Sequence, residues 1–155
     1  MKSRGEESGI LLDTSFLLPI LGFNLGRRVE EGLRRLRRGE AALYYSQFSI
    51  LEALWTAVRS IRRGRFNAER FRAGLLSLTF SPRFTRITEN VEVYTEALKL
   101  YEMGHEDLID NILYQDSRVF DLKFLTLDEE LREFIRGRGL RDTTITPEEL
   151  PPFRL

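Results

Sequence analysis

Four acidic residues in this sequence have positions that suit metal chemistry. Asp13 and Asp128 directly follow short apolar runs, whereas Glu52 and Asp110 lie inside stretches with the apolar spacing of helices. Carboxylates gathered at one place repel each other unless a cation holds them together. Because the chain has no cysteine and one histidine, its available ligands are hard oxygens, which favour Mg²⁺ or Mn²⁺. Two such ions about 3.5–4 Å apart activate water for phosphodiester hydrolysis in known sites.

Three of these acids also have a purely structural explanation. Asp13 and Asp128 could cap the helices that follow them, since Asp is a preferred N-cap residue. Glu52 could complete a capping box with Ser49. Against the box, Ser46 directly follows an apolar run and is the better start signal, which moves Glu52 deeper into its helix.

The segment around Asp110 carries two more acids. Asp107 lies near the start of the predicted helix, where the helix dipole alone explains an acid. Asp110 is a full turn further in and is harder to explain in that way. Asp116 lies about two turns further on, and we predict that it is solvated or paired with Arg118 or Arg132.

The elements that must position these acids alternate along the chain. We predict strands at residues 9–13, 41–45, 84–88, 123–127 and 143–146, and helices at 24–38, 46–63, 67–78, 89–103, 106–120 and 129–136. Continuous apolar strands between helices are typical of a parallel sheet covered on both faces. In such a sheet the ligand site lies beyond the carboxyl ends of the strands, which is where Asp13 and Asp128 fall.

We therefore predict one α/β domain over residues 1–155, with a central parallel sheet of four to five strands and a proline-rich tail at 147–155. Within it, the large apolar residues of helix 46–63 are expected to face the core. These are Ile50, Leu51, Leu54, Trp55 and Val58.

Composition narrows the functional classes. A chain of 155 residues with 42% hydrophobic and 31% charged residues is ordinary for a soluble globular protein. No apolar run approaches the roughly 20 residues of a membrane span, and the N-terminal residues lack a secretory pattern, so we expect a cytoplasmic protein. There is no glycine-rich phosphate loop. Ser15 also replaces the second aspartate that haloacid-dehalogenase phosphatases require.

Four segments together resemble the PIN-domain family. They are residues 11–15, 46–52, 107–113 and 122–128, and their order covers about residues 9–136. The resemblance implies a three-layer α/β/α fold and a Mg²⁺- or Mn²⁺-dependent endoribonuclease of the VapC-like toxin type. It implies that Asp13, Glu52, Asp110 and Asp128 are the catalytic, metal-binding acids.

The resemblance also suggests accessory residues and partners. Ser15 lies where many members carry Asn or Ser near the metal, and Asp107 is either an accessory ligand or a helix-start acid. We expect His105 to be a loop or N-cap residue rather than a catalytic base. The expected partners are RNA, an antitoxin protein and a second copy of the chain.

Basic residues offer a surface for the RNA. Arg59, Arg62 and Arg63 share one side of the helix that carries Glu52, and phosphate contacts of this kind give affinity without sequence choice. Balanced totals of 24 basic and 24 acidic residues give no overall basic signature. The alternative function is a catalytically inactive PIN-like module that binds RNA or protein, against which the intact set of four acids argues.

Overall fold

Strands and helices alternate along the part of the chain that the computed structural model describes, residues 9–150. The strands are β1 (Ile10–Leu12), β2 (Leu43–Ser46), β3 (Phe84–Ile87), β4 (Lys123–Leu125) and β5 (Thr144–Ile145). The helices are α1 (Thr14–Leu17), α2 (Arg27–Arg38), α3 (Gln47–Arg62), α4 (Ala68–Phe80), α5 (Val91–Glu102), α6 (Leu108–Val119) and α7 (Glu129–Gly137). A short 3₁₀ helix, Pro147–Glu149, follows β5. The predictions for the N-terminal segment and for the tail beyond residue 150 lie outside the described residues.

The five strands form one parallel sheet in the order β3-β2-β1-β4-β5. The chain builds outward from β1 to β2 and β3 on one side, and β4 and β5 then pair on the other side. The order therefore reverses at β1 and β4, and a crevice opens at such a switch point, beyond the carboxyl ends of the strands. Asp13 and Asp128 follow these two strands.

Helices cover both faces of the sheet, which confirms the predicted three-layer α/β/α class. Ile10 and Leu12 on β1 point into a core shared with α1 to α4. Leu11 points the other way, into a core shared with Phe124 and with α5 to α7. This alternation follows from the two-residue period of a strand. Among residues 9–150, no helix is long and apolar enough to cross a membrane.

Polar N-caps fix where the helices begin. The side chains of Ser46, Asn67, Asn90, Asp107 and Asp128 each accept a hydrogen bond from a backbone N–H in the first turn of their helix. Each satisfies a donor that the helix itself leaves unpaired. Ser46 is thus the cap of α3, and the Ser49–Glu52 capping box is not the start of this helix.

The inward face of α3 differs from the prediction. Leu51, Leu54 and Trp55 are exposed, and the buried residues are the small Ser49, Ala53 and Ala57. The expectation that the large apolar residues of this helix all face the core is therefore wrong. Small side chains on the inner face let α1 pack directly against α3, which leaves the large ones on the outside.

Candidate functional site

The predicted acids surround one cavity at the carboxyl edge of the sheet. Asp13, Glu52, Asp110 and Asp128 line it, and so does the accessory candidate Asp107. The cavity measures about 640 Å³. Ser15, also predicted as an accessory residue, lies on its wall. The fold thus brings together acids from four separate segments of the chain.

Asp13 lies at the end of β1 and is almost fully buried. It is the N-cap of α1 and also lines the cavity. Its two carboxylate oxygens accept hydrogen bonds from different partners. Oδ1 accepts a hydrogen bond from the backbone N–H of Thr14 at 2.7 Å. Oδ2 accepts one from the Thr126 hydroxyl, also at 2.7 Å. Burial raises the pKa of Asp13 to about 6; the two hydrogen bonds oppose this, and the negative charges of Glu52 and Asp128 add to it.

Two threonines that the sequence reading did not single out hold these acids in place. Thr126 is fully buried; its hydroxyl donates to Asp13 and accepts from the backbone N–H of Asp128 at 3.0 Å. Thr14 donates to Oε1 of Glu52 at 2.5 Å. Their positions, beside Asp13 and two residues before Asp128, were the available signal.

Glu52 projects from α3 and is partly exposed to the cavity. Burial raises its pKa, the hydrogen bond from Thr14 lowers it, and the negative charge of Asp107 raises it further. The net shift is upward. Asp107 itself is exposed and caps α6, where it accepts a hydrogen bond from the backbone N–H of Asp110 at 3.0 Å.

Asp110 and Asp128 form a hydrogen-bonded carboxyl pair. Burial is the main cause that raises the pKa of Asp110, followed by the hydrogen bond with Asp128 and the charges of Asp13 and Asp107. For Asp128, burial opposes the net shift, but hydrogen bonds from Asp110 and from the Leu131 N–H lower its pKa below the ordinary value.

The donor set suits a hard divalent cation. All the converging groups are oxygens, and burial, followed by the charges of neighbouring acids, raises the pKa of Asp13, Glu52 and Asp110. Within residues 9–150, no three acidic or histidine side chains already have the spacing of a metal shell. Binding would therefore require some of these side chains to turn towards the cation, and it would favour their deprotonated forms. Asp13, Glu52, Asp110 and Asp128 are the residues that would hold it.

The remaining predicted residues lie in two places. Arg59 lines the cavity, whereas Arg62 and Arg63 are exposed at the far end of α3 and do not line it. His105 lies in the loop before α6, buried, with Nδ1 2.6 Å from the Asn111 side-chain oxygen. That contact ties the loop to α6 and gives His105 a structural role.

A second group of buried acids lies outside the cavity. Asp116 on α6 is fully buried; burial, together with the charge of and hydrogen bond to Glu89, raises its pKa to about 9. Glu89 in turn accepts a hydrogen bond from the Ser46 hydroxyl. The prediction that Asp116 is solvated or paired with arginine is wrong, since Arg118 and Arg132 bind other acids.

Fold and site together define a parallel α/β protein with an acidic cavity at the switch point of its sheet. The profile of the PIN domain matches residues 10–136. The chain therefore belongs to the PIN domain family, as its four segments suggested. No curated protein sequence matches the chain.

Three solved structures of low sequence identity share the fold. A toxin–antitoxin complex from Klebsiella pneumoniae has 16% identity and a TM-score of 0.60, with 90% of this chain and 98% of that chain covered. VapC20 of Mycobacterium tuberculosis, described as a sarcin–ricin loop cleaving toxin, has 17% identity and a TM-score of 0.62, with 86% and 98% covered. FitAcB from Neisseria gonorrhoeae has 17% identity and a TM-score of 0.57, with 91% and 99% covered.

Proposed function

We propose that this protein is a Mg²⁺- or Mn²⁺-dependent endoribonuclease and the toxin of a toxin–antitoxin pair. The observation that carries the proposal is the convergence of Asp13, Glu52, Asp110 and Asp128 on one cavity of a PIN domain. These acids are far apart in sequence, and their negative charges repel one another at close range. A shared cation would offset this repulsion.

The residues of the chain have distinct parts in this reaction. Thr126 and Thr14 orient the carboxylates of Asp13 and Glu52 through their hydroxyl groups. Burial raises the pKa of Asp110, and a bound cation would favour its deprotonated form. When bound, a divalent cation lowers the pKa of a water molecule and offsets negative charge on the phosphate. Arg59 contacts a neighbouring phosphate from the cavity wall.

The test combines cleavage with direct metal binding. Wild-type protein is incubated with a structured RNA and Mn²⁺, and Mn²⁺ binding is measured separately by calorimetry. Asp110→Asn should lose cleavage by orders of magnitude and keep its circular dichroism spectrum. Glu102→Gln removes an exposed carboxylate from α5, away from the cavity, and should behave as wild type. Mn²⁺ binding with no cleavage of any RNA, or undiminished cleavage by Asp110→Asn, would contradict the proposal.

The first RNA to test is a sarcin–ricin stem-loop, because one structure with this fold is described as cutting it. The proposed protein partner is an antitoxin, because the Klebsiella structure that shares the fold is described as a toxin–antitoxin complex. Co-expression with the product of a neighbouring small reading frame should yield a stable complex that no longer cleaves RNA.

We also propose a homodimer that forms through α5. Val91, Tyr94, Leu98 and Tyr101 recur with helical spacing and are all exposed. A stripe of this kind on one helix can pack against the same stripe of a second copy around a two-fold axis. Leu98→Glu should convert a dimer into a monomer in light scattering, while Glu102→Gln on the same helix should not. A wild-type monomer at high concentration would exclude this dimer.

A further inference from the structure

One wall of the cavity is formed by a single face of α3. Glu52, Trp55, Thr56 and Arg59 on α3 all line it, at the spacing i, i+3, i+4 and i+7. One face of the helix therefore carries a proposed catalytic acid, an aromatic ring and a cation in succession. The exposed leucines of α3, Leu51 and Leu54, do not line the cavity.

Trp55 is unusually placed for a large aromatic side chain. It is 59% exposed, although burying such a ring is among the most favourable contributions to a core. By helix geometry its backbone is three residues, about 4.5 Å along the axis, beyond Glu52. An accessible indole on the wall of the cavity that the acids line is a surface for a flat, apolar ligand.

Arg59 adds a positive charge to the same face of α3. Its guanidinium donates to the Thr56 hydroxyl at 3.1 Å, and within residues 9–150 no carboxylate lies within ion-pair distance of it. The guanidinium is thus held at the cavity and can still bind an anion. Four residues after Trp55, it lies about 6 Å further along the helix. An aromatic face beside a held cation matches a nucleobase beside its phosphate.

We propose that Trp55 stacks on a nucleobase of single-stranded RNA next to the cleaved phosphodiester, with Arg59 on an adjacent phosphate. This subsite rests on the proposed ribonuclease function. It adds the two residues that would position the RNA. Stacking on an aromatic ring tolerates every base. The contact therefore selects an unpaired nucleotide over a paired one, rather than one base over another.

The chain has one tryptophan, so its intrinsic emission reports on Trp55 alone. Asp110→Asn, which should bind RNA without cutting it, is titrated with a single-stranded oligoribonucleotide in Mg²⁺. Stacking should quench and shift the emission on binding. In proteins with an intact Asp110, Trp55→Ala should lower kcat/KM by about 5- to 150-fold, and Trp55→Phe should recover much of the loss. Leu54→Ala is the matched control, an exposed apolar truncation on another face, and should cleave as wild type.

Abasic nucleotides separate stacking from a general effect of the substitution. One base at a time is removed from the RNA, and each RNA is cleaved by wild type and by Trp55→Ala. Wild type should be sensitive at one position near the scissile bond, and Trp55→Ala should be insensitive there, since the two changes remove the same contact. Equal sensitivity in both proteins would overturn the subsite.

Different experimental results would overturn the proposed Trp55 subsite and the proposed ribonuclease function. Normal cleavage by Trp55→Ala without quenching in the RNA titration would leave the ribonuclease intact and overturn the role of Trp55. An emission change that follows protein concentration or added antitoxin, and not RNA, would assign Trp55 to a protein interface instead. Absence of RNA binding and cleavage by wild type would overturn both proposals.

Discussion

Asp116→Asn is expected to remove a pH dependence from the stability of the protein. Asp116 is fully buried beside Glu89, and burial raises its pKa from 3.8 to about 9. Between these values the folded protein keeps the proton and the unfolded chain releases it. The free energy of unfolding therefore falls as pH rises, by about 1.4 kcal/mol per pH unit. Asparagine does not titrate, and its amide can still donate a hydrogen bond to Glu89.

The size of the expected change in the free energy of unfolding follows from the pH interval. Between pH 5 and pH 7, the wild type should lose about 3 kcal/mol relative to Asp116→Asn. Other buried acids such as Asp13 titrate in both proteins and cancel in the difference. Urea unfolding followed by far-ultraviolet circular dichroism measures it, because the exposed Trp55 is a poor probe of the core. Glu102→Gln should track the wild type at each pH. Wild-type and Asp116→Asn curves that stay parallel would refute a neutral Asp116.

Three further substitutions test other parts of the structure. Thr126→Val removes the hydroxyl that orients Asp13 and should lower cleavage by about 10- to 100-fold without unfolding the chain, as kinetics and circular dichroism would show. Gly74→Ala would place a Cβ 2.3 Å from a backbone carbonyl of the neighbouring loop and should cost about 1–3 kcal/mol in urea unfolding, whereas Gly137→Ala meets open space and should cost nothing. Arg59→Ala should reduce the slope of log affinity for single-stranded RNA against log salt by about 0.7, and the exposed Arg72→Ala should not.

The strand-end acids could be predicted because two local rules agree on them. Asp13 and Asp128 follow apolar strands, and parallel strands end at the same edge of a sheet. Capping and site membership were alternative explanations in the sequence; in the structure each of the two acids caps a helix and also lines the cavity. Asp128 caps α7 through Oδ1 and lines the cavity, because an N-cap of a helix that follows a strand lies at that edge. The five strands and six longer helices fall within a few residues of their predicted bounds for the same local reasons, whereas α1 and the 3₁₀ helix at Pro147–Glu149 had no predicted bounds.

The hydrogen-bond partners of the acids could not be predicted in this way. Thr126 meets Asp13 across 113 residues of sequence, and Thr14 meets Glu52 across 38. No periodicity relates such positions, because strand pairing and the turn after each strand determine which side chains meet. Asp116 was misassigned for the same reason. Its helical neighbours gave no sign of Glu89, which approaches from the end of β3.

The apolar pattern of α3 alone did not predict which of its residues line the cavity. Its large side chains indicated a broad core-facing surface, but burial depends on how closely the neighbouring element approaches. Ala53 and Ala57 are buried, and α1 contacts this helix. The larger residues must then face solvent, a partner or a ligand. For Trp55 the cavity and Arg59 on the same helical face decide among these, and they favour the ligand.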